Sequence, residues 1–172
     1  MAAIIILLIC LHLCTADLGI MEINRIPCAH DNWSGNDRFM KHHLHPDTPT
    51  TTDIEEWTKF IKKINCCSRV MQSFLNPEQT SKVEQVCTEA GGKVFQPNNN
   101  LCISKDKFTF IEVRVSSDEC KVFKVSNVTQ NIILGCDRFR EKCLPVHFES
   151  NSNNKTPQKS DTNCGSALEV WN

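Results

Sequence analysis

The chain has 172 residues, with 19 Lys and Arg against 20 Asp and Glu, and a formal net charge of −1. That length suits one domain with tails, and the charge balance counts against tight, nonspecific binding to RNA or to a membrane surface. Eleven cysteines point to an oxidising compartment.

Residues 1–16 read as a secretory signal peptide. The run from Ile4 to Leu13 is apolar, and Cys14-Thr15-Ala16 ends in small residues suited to cleavage. The run is short for a bilayer span, and no later segment is apolar enough to make one. Cys10 and Cys14 leave with the signal. Nine cysteines remain, so at least one is free or pairs outside the chain. Three N-glycosylation sequons, at Asn32, Asn127 and Asn154, agree with secretion.

Residues 17–36 show no clear period and are expected as an extended N-terminal arm carrying Cys28. Residues 37–43 form the first helix candidate, stopped before Pro46. Within it Phe39 and His43 are i and i+4 and share a face, so Phe39 can anchor the helix while His43 points at a site. Residues 46–52 are a Pro/Thr-rich connector. Residues 53–64 make the strongest helix, with Asp53 and Glu56 spaced as a capping box and a stripe of Ile54, Trp57, Phe60, Ile61 and Ile64. Residues 77–87 read as a further helix, ended by Gly91-Gly92.

Residues 95–101 are loop. Residues 107–115 alternate as a strand, with a phase slip near Ile111. Residues 121–136 read as two strands with a turn near 126–130, and residues 143–148 as the last strand. That strand carries His147, whose unperturbed pKa of about 6.5 suits proton transfer near neutrality. Residues 150–161 are rich in Asn, Ser and Lys and are expected to be disordered, within a polar tail of residues 150–172. The clusters Lys59, Lys62, Lys63, Arg69 and Lys121, Lys124, Arg138, Arg140, Lys142 read as solvated faces. His30, His42, His43 and His45 lack the spacing of a zinc motif, and neither a metal nor a cofactor is expected.

Arg38-Phe39-Met40-Lys41-His42-His43 and Leu144-Pro145-Val146-His147-Phe148 together resemble the pancreatic-type ribonuclease A superfamily. Members carry a Phe-x-x-x-His helix near the N-terminus and a Pro-Val-His-Phe strand near the C-terminus. Cys87 and Cys136 sit in similar contexts, and the resemblance covers residues 37–149. It implies an α+β fold, with three helices on a bent antiparallel sheet stapled by disulfides. It also implies RNA transphosphorylation with His43 as base and His147 as acid, Phe148 holding His147 in place by packing. His42 stands where members usually have a phosphate-contacting Gln. An amphibian pattern, Trp-x-x-Phe-x-Lys-Lys-His, also matches Trp57 to Lys63 but meets Ile64 in place of the histidine; His43 is the better match.

The family's lysine lies in a Cys-Lys-x-x-Asn-Thr-Phe block between its second and third helices. Cys66-Cys67-Ser68-Arg69-Val70-Met71 resembles the start of that second helix, and Met71 to Pro77 then runs into the next helix without the block. Lys105 to Phe110 is similar to the block but follows that helix. Lys41 or Lys62 are the candidate substitutes. The resemblance further implies a Cys87–Cys136 bridge, and a bridge from Cys120 to Cys66 or Cys67. Cys102 lacks its usual partner, and a Cys143–Cys164 bridge would close the tail beside His147.

Three readings follow: a weakly active or inactive secreted protein that binds RNA, a receptor or another extracellular partner; an active endoribonuclease with a substitute lysine; or an unrelated disulfide-stapled binding module. Noncatalytic members of the family are associated with reproduction or host defence, and the first reading is the expectation.

Overall fold

A computed structural model describes residues 26–96 and 100–165. The signal-peptide reading and most of the N-terminal arm lie outside the described residues. The described chain is α+β. Its helices are α1 (Gly35–His43), α2 (Ile54–Lys63) and α3 (Thr80–Gln85), the last entered through a 3-10 turn at Pro77–Gln79. Its strands are β1 (Met71–Leu75), β2 (Gly92–Val94), β3 (Leu101–Ser116), β4 (Lys121–Phe139) and β5 (Lys142–Glu149). All pairings between strands are antiparallel. The order is β1-β3-β4-β5, with β2 paired to the other end of β3. No described helix is long and apolar enough to cross a membrane.

Two apolar clusters form the core. One gathers Phe39, Leu75, Val83, Val86, Phe108, Phe110, Ile132 and Leu134. The other gathers Trp57, Phe60, Ile61, Phe74, Ile111, Val113, Val115 and Val122 beneath α2. Phe110 and Ile111 are neighbours in sequence but enter different clusters, because successive strand residues point to opposite faces. Both faces are covered at that point, which erases the apolar/polar alternation and explains the phase slip.

Several expectations need correction. Residues 66–71 are not a helix: Cys66 and Cys67 lie in a turn, and Met71 opens β1. Residues 121–136 do not turn at 126–130. They are part of one 19-residue strand whose pairing with β3 runs unbroken from Gln130↔Phe108 to Ser126↔Glu112. The polar residues that suggested a turn lie along an exposed strand, where the Thr109 and Thr129 hydroxyls bond at 2.9 Å.

The stretch expected to be disordered is tied down. Asn151 is buried; its amide donates to the Asn131 and Lys155 carbonyls, and its Oδ1 accepts from Lys155 N–H. Lys93 Nζ then donates to the Asp161 carbonyl at 2.7 Å, and Cys164 N–H to the Gly92 carbonyl.

Among the described residues the disulfides are Cys28–Cys143, Cys67–Cys120, Cys87–Cys136 and Cys102–Cys164, and Cys66 is free. Cys87–Cys136 is as expected, and Cys67 rather than Cys66 takes Cys120. The Cys143–Cys164 expectation fails because the chain delivers other partners. The arm runs beside β4, with Cys28 N–H on the Cys136 carbonyl and an Asp31↔Arg138 bridge, and brings Cys28 to Cys143. The tail crosses to β2 through a Lys93↔Asn163 bridge and brings Cys164 to Cys102.

Candidate active site

The site is built by three elements. On α1, Phe39 and His43 are both buried, one helical turn apart, with ring centroids at 5.1 Å. The start of α1 is fixed by Asn32: its Oδ1 accepts from Gly35 N–H at 2.8 Å, and its Nδ2 donates to Asp137 at 3.0 Å. β1 supplies the backbone partner of His43, whose Nδ1–H donates to the Ser73 carbonyl at 2.7 Å. That bond assigns the tautomer and leaves Nε2 with a free lone pair. β5 supplies His147 and Phe148. Gly135 of β4 pairs with His147, and a Cβ there would stand 3.0 Å from the His147 Cβ, so the absent side chain is what lets β5 sit this close.

His43, His147 and Arg69 line one cleft of about 210 Å³, together with Gln72, Glu112 and Asn151. A larger hollow of about 530 Å³ lies elsewhere, between α3 and β5. Glu84, Glu89 and Glu141 line it and it holds no imidazole, so size does not mark the chemistry here.

Burial pushes the His43 pKa down to about 4, helped by the positive fields of Arg69, His42 and His147 and opposed by the bond to Ser73. At neutral pH His43 is therefore an uncharged acceptor. His147 is exposed, and its Nε2 lies 3.3 Å from Glu149 Oε2. The Glu149 carboxylate can accept that ring N–H.

The structure brings His43, His147 and Phe148 together. Phe148, expected to steady His147, stacks on His43 instead at 5.3 Å and meets Phe110 at 5.5 Å. His42 and Lys41 are not among the cleft walls. The His42 ring points down to Cys66, with Nδ1 at 3.0 Å from Sγ. Lys62 borders a separate groove with Glu55 and Lys59.

The cation in the cleft is Arg69, which the sequence reading left among surface charges. The missed signal was Cys67. Its bridge to Cys120 ties down the turn that leads into the edge strand β1, and Arg69 in that turn lines the cleft. Gln72 and Asn151, also missed, carry buried amides in the same walls.

Among the described residues, one group of three could approach a metal: Cys87, Cys136 and Cys143, whose sulfurs are held in disulfides. No family model matches the chain, and no characterised protein matches it.

Proposed function

We propose that the protein is a secreted, ribonuclease A-like endoribonuclease of low activity, with Arg69 in place of the usual lysine. The observation that carries this reading is the shared cleft: His43 with its lone pair free, His147 beside a carboxylate, and Arg69 lining the same space.

In this mechanism His43 Nε2 takes the proton of a ribose 2′-hydroxyl. The 2′-oxygen attacks the adjacent phosphorus, and the 5′-oxygen leaves carrying a proton from His147. The products are a 2′,3′-cyclic phosphate and a free 5′-hydroxyl. Arg69 offsets the charge that grows on the nonbridging oxygens, and its planar fork can hold two of them at once. Low activity follows from Glu112 in the same wall, which opposes an incoming phosphate, and from the net charge of −1.

A second reading, binding of RNA or an extracellular partner without cleavage, is favoured by the exposure of His147. The ring lies 3.3 Å from the Glu149 carboxylate, with most of its surface in solvent.

The test is cleavage of single-stranded RNA by the oxidised, secreted full chain. Cyclic phosphate ends should appear, and His147→Ala and Arg69→Ala should each lower the rate about 10²–10³-fold. Cleavage that stays at the level of the His147→Ala control would remove the catalytic reading. Retained binding of a nucleoside monophosphate would then leave the second.

A further inference from the structure

We propose that Asn127 carries an N-linked glycan whose first N-acetylglucosamine lies in the groove beside it, with Gln79 as its hydrogen-bond acceptor. This rests on passage through the secretory route, which the proposed function includes, and not on ribonuclease chemistry.

The structure separates the sequons. Asn32 is committed at both ends of its amide, to Asp137 and to Gly35 N–H. A sugar on its Nδ2 competes with the Asp137 contact, and the start of α1 depends on the same side chain. The proposal therefore leaves Asn32 bare. Asn127 is exposed, and its side chain bonds to no described residue. Asn154 is exposed as well, on a turn.

What sets Asn127 apart is its surroundings. It pairs with Ile111 across β3 and β4, and directly opposed residues share a face. It lines a groove of about 230 Å³ together with Pro49, Pro77, Gln79 and Ile111. Gln79 is among the lining residues, and its Oε1 has no hydrogen-bond partner among the described residues. A buried acceptor left unpaired is costly, so a native groove that keeps one is built for a donor. N-acetylglucosamine offers an acetamido N–H, hydroxyl donors and apolar C–H faces for the prolines.

β4 also has an open edge alongside. Its pairing to β5 reaches only as far as Ile133, so among the described residues β3 is the single strand neighbour of residues 121–131. A glycan at Asn127 blocks a second chain from adding to that edge.

Transfer draws on a lipid-linked oligosaccharide diphosphate. Asn127 Nδ2 bonds to the anomeric carbon, and the bond from that carbon to the diphosphate oxygen breaks. The lipid diphosphate leaves with the electron pair, and Nδ2 loses one proton.

The experiment uses full-length protein secreted from a eukaryotic cell line. Glycopeptide mass spectrometry should find Asn127 occupied and Asn32 bare. After trimming to single N-acetylglucosamine residues, the protein should melt about 2–4 °C above Asn127→Gln, the shift expected for one net hydrogen bond in a chain of this size. In a Gln79→Ala background that difference should vanish. An unmodified Asn127, an occupied Asn32, a sugar without effect on melting, or a difference that survives Gln79→Ala would each overturn the proposal. RNA cleavage is not read in any of these measurements, so they fail or succeed apart from the catalytic reading.

Discussion

His43 is the residue whose chemistry the fold alters most. Its ring is buried, stacked on Phe148 and tied to Ser73, and it holds its neutral form down to about pH 4. An unfolded chain protonates the same imidazole near pH 6.5. Between those values the unfolded state binds more protons, so stability falls as pH drops through the window and levels off for this group below it. The full effect is about 3 kcal/mol. Urea unfolding from pH 7 to 4 should show that slope, and His43→Gln should flatten it whatever it does to the midpoint. A catalytic rate measured against pH should likewise keep its base active at pH 5 and lose it near pH 4. A ring that titrates near 6.5 in the folded protein by NMR would contradict both outcomes. Cys66 belongs to the same scale. Burial pushes its thiol pKa up and the His42 pKa down, so the two meet as neutral groups and the thiol is a poor nucleophile. Iodoacetamide should leave native protein unlabelled and modify one cysteine per chain after unfolding without reductant.

Among the elements, α2 is the one most fully written in its residues. Asp53 Oδ1 accepts from Glu56 N–H at 2.7 Å, and Trp57, Phe60, Ile61 and Ile64 of the stripe are buried. Ile54 is exposed, and the Glu56 carboxylate takes the Thr51 hydroxyl instead of closing the capping box. Asp53→Ala removes that cap and should cost about 1 kcal/mol, lowering the melting temperature by roughly 2–4 °C. An unchanged midpoint would mean that tertiary packing alone fixes the helix start. Asp53, Glu56 and the stripe were legible because cap and period are local properties. β4 was not, since Ser126 to Gln130 are turn-prone by composition and become strand only through thirteen-rung pairing with β3. β1 failed for a related reason. Five residues with one exposed and four buried positions carry no strand period, and their placement depends on a disulfide partner 53 residues away. His43 and His147 were readable from short motifs, whereas Arg69 needed that long-range bridge to reach the cleft.

The whole molecule is held by its crosslinks in an uneven way. Sulfurs of three disulfides, Cys28–Cys143, Cys87–Cys136 and Cys102–Cys164, enter the cluster that contains Phe39, while Cys67–Cys120 lies against the cluster under α2. The Cys102–Cys164 bridge has a further consequence, because the segment it closes starts at the cleft. Ser150 and Asn151 line the site, and the chain from there to Cys164 is a strap anchored at one end by the buried Asn151 and at the other by the disulfide. Most residues between are exposed and contribute little apolar burial, so the crosslink supplies much of their order. Cutting it with Cys102→Ser and Cys164→Ser opens a 62-residue loop, for which chain entropy predicts about 4 kcal/mol and engineered cases commonly return 2–4. Hydrogen exchange resolves where that loss falls. If the disulfide is what orders the strap, protection should drop at Lys155 and Cys164, whose N–H groups bond to Asn151 and Gly92, while α2 keeps its own. The Asn151 amide should hold on to Asn131, so the cleft wall survives and phosphate binding changes less than twofold. Uniform loss of protection across both clusters would instead make the strap part of one cooperative unit with the sheet.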